Sequence, residues 1–255
     1  MEALAQPWTQ TPTAPEHRLT LRFALHTEIP LENVSIAMEH AELAKLRLDG
    51  ASVEYRPAGW WVDESLRTVR LPAIAAGVHR LEVELPYSPD INIEWCYLLG
   101  DFGVRVAGAH AWITAPVRQL HFGDWTTQGL PFYAGNVTYH TTLESPAASH
   151  DTRLALHVPH FRASHLTACL AGSREQPLAF APHQADFGIV PPGRHALELT
   201  AYGNRVNAFG AVHLADERWR WFGPNAWRSR NERWADEYQL RPTGILVAPR
   251  VLTSP

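Results

Sequence analysis

The sequence predicts an all-β protein built as two tandem antiparallel β-sandwiches. Three observations carry that expectation. Short runs alternating apolar with polar residues recur along the 255 residues, the period of a half-buried strand. Twenty prolines and sixteen glycines punctuate those runs, which favours many turns over long helices. The pattern is also written twice. Leu21–Thr27 and Val137–Leu143 place Phe23 and Tyr139 116 residues apart (139 less 23), and Gly77–Leu85 is answered by Gly193–Thr200 at the same spacing (193 less 77). Two matches at one offset imply an internal duplication.

Taken in order, residues 1–16 are a polar, Pro-rich lead-in with Trp8 as an anchor. Leu19, Leu21, Phe23 and Leu25 alternate with polar neighbours as a strand, and Val34, Ile36 and Met38 follow as a second. Leu43–Leu48 ends at Asp49-Gly50, a pair that closes hairpins. Arg56–Asp63 is expected as a loop bearing the paired Trp60 and Trp61. Thr68–Leu71 and Val78–Leu85 are further strands. Ile91–Val106 mixes aromatics with a turn at Gly100-Asp101, and Ala111–Leu120 is an alternating run broken by Pro116.

Leu120–Glu144 is the pivot, dense in Gly, Asp and aromatics before the strand at Val137. The boundary is placed at 128, giving a first sandwich over 1–128 and a second over 129–255. Strands are expected in the second copy at Val137–Leu143, Arg153–Val158, Leu166–Leu170, Phe187–Val190 and Ala196–Ala201, with Pro191-Pro192-Gly193 as a turn. Asp216–Tyr238 holds four of the ten tryptophans. Gly223-Pro224 breaks it, and Asn225 is placed to cap a short helix to about Arg233. Leu240–Val251 returns to strand character.

A net charge of −4 and a pI near 6.4 weigh against nucleic acid or an anionic membrane as the main partner. No apolar run reaches the ~18–20 residues a bilayer-spanning helix needs. The N-terminus lacks the basic and apolar regions of a signal peptide, which favours a cytoplasmic location. Cys96 and Cys169 fall in different copies without a CxxC partner, and are read as reduced, mostly buried thiols; a disulfide between them has no support in the sequence.

Four kinds of chemistry compete with structural roles. Asp63, Glu94, Asp101, Asp124 and Asp236 sit beside aromatics, as glycosidase carboxylates do, yet each also fits a turn, a solvated strand end or a partner for arginine. Among fourteen histidines, His157, His160 and His165 are close in sequence, but a spacing of three on a strand sends side chains to opposite faces, and no HExxH motif exists. There is no GxSxG elbow. The aromatics remain. Sugars pack C–H faces on indole or phenol rings and need Asp, Asn, Arg or His at the rim. Three clusters offer that mixture: Trp60 and Trp61 with Asp63 and Arg56; Asp124 and Trp125 with Gln128 and Tyr133; and Trp219, Trp221 and Trp227 with Asn225, Arg228 and Arg230. Core packing is the competing role for each, and Trp125 is the ring expected to be structural.

Gly59–Asp63, Tyr97–Val104, Gly123-Asp124-Trp125, Gly129–Tyr139 and the ending Tyr238 to Leu246 (Leu240-Arg241-Pro242-Thr243-Gly244-Ile245-Leu246) occur in that order. Together they resemble the C-terminal β-sandwich region of bacterial glycoside-hydrolase family 2-like and rhamnosidase-like proteins, with galactose-binding-like jelly rolls. The resemblance implies an accessory portion, because the catalytic carboxylates of such proteins sit on a separate (β/α) barrel of ~250 residues for which this chain has no room.

The expectation is therefore a non-catalytic carbohydrate-binding or accessory module, with an oligo- or polysaccharide and a catalytic glycoside hydrolase domain as partners. No cofactor is expected; calcium, which pins loops in some sandwiches, has no Asp-rich loop here. Two alternatives stay open: a compact β-sandwich hydrolase or lyase using carboxylate or histidine catalysis, and a structural docking module.

Overall fold

The computed structural model describes residues 14–88, 93, 95–146, 153–215 and 231–254. These form an all-β protein, and among them no helix is long and apolar enough to cross a membrane. The chain divides into two compact units. One comprises residues 1–102 with 112–115, the other 103–111 with 116–255.

In the first unit, β1 (His17–Thr27), β3 (Lys45–Leu48), β4 (Ala51–Val53), β7 (Gly77–Tyr87) and β10 (His110–Thr114) lie in the order β4-β3-β7-β1-β10. The second sheet is β5 (Pro57–Trp61), β6 (Asp63–Arg70), β2 (Ser35–Met38) and β8 (Tyr97–Leu99), in that order. Alternation buries Leu46, Leu48, Leu81, Val83 and Leu85 of the first sheet against Ile36, Met38 and Val69 of the second, a single core. Leu31 and Ile74 exchange backbone hydrogen bonds of 2.7 and 3.0 Å at its rim.

The second unit begins with β9 (Gly103–Ala107). Its larger sheet runs β11 (Val137–Ser145), β16 (Gly193–Tyr202), β13 (His165–Leu170), β14 (Gln176–Pro177). Opposite it lie β15 (Gln184–Ile189), β12 (Arg153–His157) and β17 (Arg250–Ser254). Tyr139, Leu166, Leu197 and Leu199 face Leu154, Leu156 and Ala185 across the core. Trp125 fills its end, 1% exposed, with Nε1 donating to Tyr139 Oη at 2.6 Å.

Both units follow one plan. β7 is paired by β1 and β3 as β16 is by β11 and β13, and β2 lies between β6 and β8 as β12 lies between β15 and β17. The 116-residue spacing holds on the long strands: Gly77 and Gly193 both open them at positive φ, 142° and 127°. The opening strands are displaced by two. Thr27 faces Gly77 but Ser145 faces Gly193, a spacing of 118. Tyr139 therefore occupies the place of Leu21, not Phe23, and the cross-strand pair Arg22–Glu82 recurs as His140–Glu198.

Several sequence expectations change. The boundary is not at 128, because Trp125 belongs to the second core and Asp124 binds Thr243 N at 3.1 Å. Arg56–Asp63 is not a loop: it is the β5–β6 hairpin, turned at Val62 with φ 69°. The run at Ala111 stops as strand at Thr114, before Pro116. Residues 240–249 are irregular, because their backbone groups serve the Trp125 strap and the Arg162 loop, through Trp125 N to Thr243 O (2.9 Å), Gly123 N to Ile245 O (2.7 Å) and Arg162 N to Gly244 O (2.8 Å). The helix expected from Asn225 lies outside the described residues apart from a single 3₁₀ turn at Asn231–Arg233.

Candidate functional site

The β5–β6 hairpin presents Trp60, 53% exposed, across the strand from Arg67. Trp61 is half-buried and tilts against Tyr97 at 4.8 Å between centroids. The polar groups expected to serve these rings are committed locally. Asp63 accepts from Ser65 N at 2.9 Å and Ser65 Oγ at 2.7 Å, which hold it below the usual carboxylate range. Arg56 pairs with Glu54 at 2.7 Å.

The second cluster is architectural. Asp124 caps the 3₁₀ turn at Trp125–Thr127, taking Thr126 N (3.0 Å) and Thr243 N (3.1 Å) on Oδ1 and Thr126 Oγ1 (2.7 Å) on Oδ2. Gln128 Nε2 donates to the carbonyls of His121 and Asp124. Tyr133 is 45% exposed, with its hydroxyl on Asn136 O at 3.2 Å. Trp219, Trp221, Asn225, Trp227, Arg228 and Arg230 lie outside the described residues, as does Glu94.

Where the tail is described, it builds a platform in the second unit. Residues 212–215 and 233–239 run side by side: Ala215 N donates to Arg233 O (2.8 Å), Ala235 N to His213 O (2.9 Å) and Gln239 N to Val212 O (2.6 Å). Val212 and Leu214 are buried and anchor this pair of segments. It brings His213 under Trp234, ring centroids 4.6 Å apart and planes 19° from parallel. His213 Nδ1 donates to Ala235 O at 2.9 Å, which fixes the imidazole plane. Tyr238 packs on His213 at 4.8 Å and Phe132 on Tyr238 at 5.5 Å. Burial raises the Tyr238 hydroxyl above its ordinary acidity range.

Trp234 remains 46% exposed although one face is covered by His213. At the edge of the ring the indole N–H donates to Asp236 Oδ1 at 2.8 Å. A flat ring, rigidly backed, with a carboxylate at its edge is the arrangement that accepts a C–H face and an adjacent hydroxyl. Tryptophan and Asp at i and i+2 could be read in the sequence, as in Trp61–Asp63. His213 could not, since it sits 21 residues before Trp234.

The two cysteines are free thiols. Burial pushes the Cys96 thiol up to about 11, and Cys169 Sγ donates to Ser173 O at 3.0 Å. Among the described residues no group of three or more His, Cys, Asp or Glu side chains converges on a metal position.

No protein-family model matches the sequence, and no curated protein does. Among solved structures, the chain resembles the rhamnosidase from Novosphingobium sp. PP1Y loosely, with a TM-score of 0.33 and 13% identity over 92% of this chain and 23% of that one. The chain thus spans about a quarter of that rhamnosidase. An anti-sigma factor domain-containing protein from Clostridium clariflavum gives a TM-score of 0.22 and 10% identity, over 75% of this chain and 76% of that one.

Proposed function

We propose that the protein is a non-catalytic carbohydrate-binding module, acting as the accessory portion of a glycoside hydrolase, with Trp234 as its platform. The observation that carries this is the Trp234 ring, stacked on His213, still 46% exposed and edged by the Asp236 carboxylate. The glycoside hydrolase companion is the part taken from the sequence resemblance.

Four described carboxylates are held in the ionised form, which suits them to pairing rather than to general-acid catalysis. A glycosidase general acid must be kept protonated near neutral pH, which needs an environment that raises its pKa. Asp49, Asp63 and Asp186 are shifted the other way, by the His79 ring, the Ser65 backbone and the Gly188 N–H respectively. For Glu82 partial burial pulls upward, and Arg22 and Arg80 outweigh it.

Calorimetric titration against a panel of soluble oligo- and polysaccharides tests the reading, with each mixture assayed for released reducing sugar. Saturable binding without release is expected, and Trp234→Ala should weaken it by about tenfold or more. Sugar release by the isolated chain would make it an enzyme instead. Binding unaffected by Trp234→Ala would move the platform elsewhere, with Trp60 the next ring to test.

A further inference from the structure

In the first unit the His79 ring is held between two acceptors. Its Nε2 lies 2.9 Å from Ala75 O and its Nδ1 2.7 Å from Asp49 Oδ2, while Arg80 N donates to Asp49 Oδ1 at 2.8 Å. Neither acceptor brings a hydrogen, so the doubly protonated ring is the form that satisfies both contacts. Asp49 reaches the ring from the left-handed first position of the β3–β4 turn, φ 51°, followed by Gly50 at φ 82°.

The second unit repeats this arrangement with one part missing. His195 stands on β16 where His79 stands on β7, and its Nε2 lies 2.8 Å from Pro191 O, again four residues back. Ala171-Gly172 repeat the turn at φ 49° and 71°. Ala171 N donates to Ala196 O at 2.7 Å, as Asp49 N donates to Arg80 O at 2.9 Å. The residue in the place of the carboxylate is alanine. There the surface opens into a groove of about 780 Å³ bordered by Ala171, Arg174, Glu175, Asp186 and His195.

We propose that this groove binds a small ligand through a carboxylate group, seated on His195 Nδ1–H and Ala196 N–H as the Asp49 carboxylate is seated on His79 and Arg80. The acids already in the groove do not occupy the slot. Asp186 is spent on Arg153 (2.7 Å) and Gly188 N (2.8 Å), and Glu175 accepts from the Thr167 and Tyr202 hydroxyls. Arg174, which borders the same groove, makes no ion pair among the described residues. With Asp186 matched by Arg153, Glu175 and Arg174 bring opposite charges to the groove, and the further positive charge a carboxylate needs comes from His195. Its Nε2–H stays on Pro191 O, so the doubly protonated ring is the form that donates from Nδ1 to the ligand. Leu170, Pro177, Phe187 and Val190 supply an apolar floor for the rest of the molecule.

The test uses the full chain and nitrogen-15 NMR of the His195 ring and the Ala196 amide during titration with acetate, D-galacturonate and D-galactose. The two acids should convert His195 to the doubly protonated ring and shift the Ala196 amide, whereas galactose should do neither. Equal binding of the acids assigns the slot a bare carboxylate; tighter binding of galacturonate assigns it a sugar acid. Ala171→Asp supplies the carboxylate from the chain itself, at a left-handed position that Asp tolerates better than Ala. It should show the doubly protonated ring without ligand and weaken either acid at least about tenfold. Galactose acting as strongly as galacturonate, acid binding undiminished by Ala171→Asp, or no response up to about 100 mM acid would each overturn the assignment. Trp234→Ala leaves this readout unchanged, which separates it from the platform above.

Discussion

Asp49 and His79 form a pair whose contribution has a defined pH window. The Asp49 carboxylate raises His79 above its ordinary value of 6.5, and His79, with the Arg80 N–H, lowers Asp49 from 3.8. A histidine with a raised folded pKa stabilises fully below its unfolded pKa and loses that contribution as pH rises through the folded one. An aspartate with a lowered pKa stabilises above its unfolded value and loses the contribution as pH falls through the folded one. The pair is therefore worth most between about pH 4 and 6.5. Melting curves of the wild type and Asp49→Asn should differ most near pH 5 and converge toward pH 9. A difference independent of pH would mean that Asp49 acts only as a turn residue. Gly244 is a second case. A Cβ there would stand 2.4 Å from Trp125 Nε1, at a φ of 102° that side chains avoid. Gly244→Ala should cost about 2–4 kcal/mol in urea unfolding.

At the scale of elements, alternation located the main strands because one face of each is buried, and period 2 follows from that alone. Leu21, Phe23 and Leu25 on β1, and Leu197, Leu199 and Ala201 on β16, could be read directly. The β5–β6 hairpin could not. Its turn sits at Val62 with positive φ, and a β-branched residue gives no signal for that conformation. The two-residue displacement between β1 and β11 was equally hidden, since a shift of two keeps the same residues facing inward and leaves the pattern unchanged. In the tail, the sequence singled out Trp219, Trp221 and Trp227, which lie outside the described residues, and not Trp234, whose backing by His213 depends on the pairing of two irregular segments that no periodicity marks.

For the whole molecule, composition was enough for the all-β class and the repeat was enough for two units, yet the boundary escaped. The chain enters the second unit at Gly103, returns at Trp112–Ala115 and leaves again at Pro116. A cut at 128 would therefore strip Trp125 from its core, a loss comparable to Trp→Ala at a buried site, about 3–5 kcal/mol. A fragment 129–255 should show no cooperative thermal transition by circular dichroism, whereas 103–255 should retain one. Equal melting of both fragments would show that the strap carrying Trp125 is dispensable.

The order of strands in the second unit also sets how it can form. β12 finds β15 some thirty residues along the chain, but its other neighbour, β17, is about a hundred residues away. The Thr243–Ile245 segment that holds the Trp125 strap is likewise more than a hundred residues from its partners at 123–125. Loop closure over such distances is paid before the contacts reward it, so assembly is slowed by the distant pairs. During synthesis, then, β12 has one edge exposed from the moment it leaves the ribosome until the stretch bearing β17 follows, and through that interval an unpaired strand is open to pairing with a neighbouring chain.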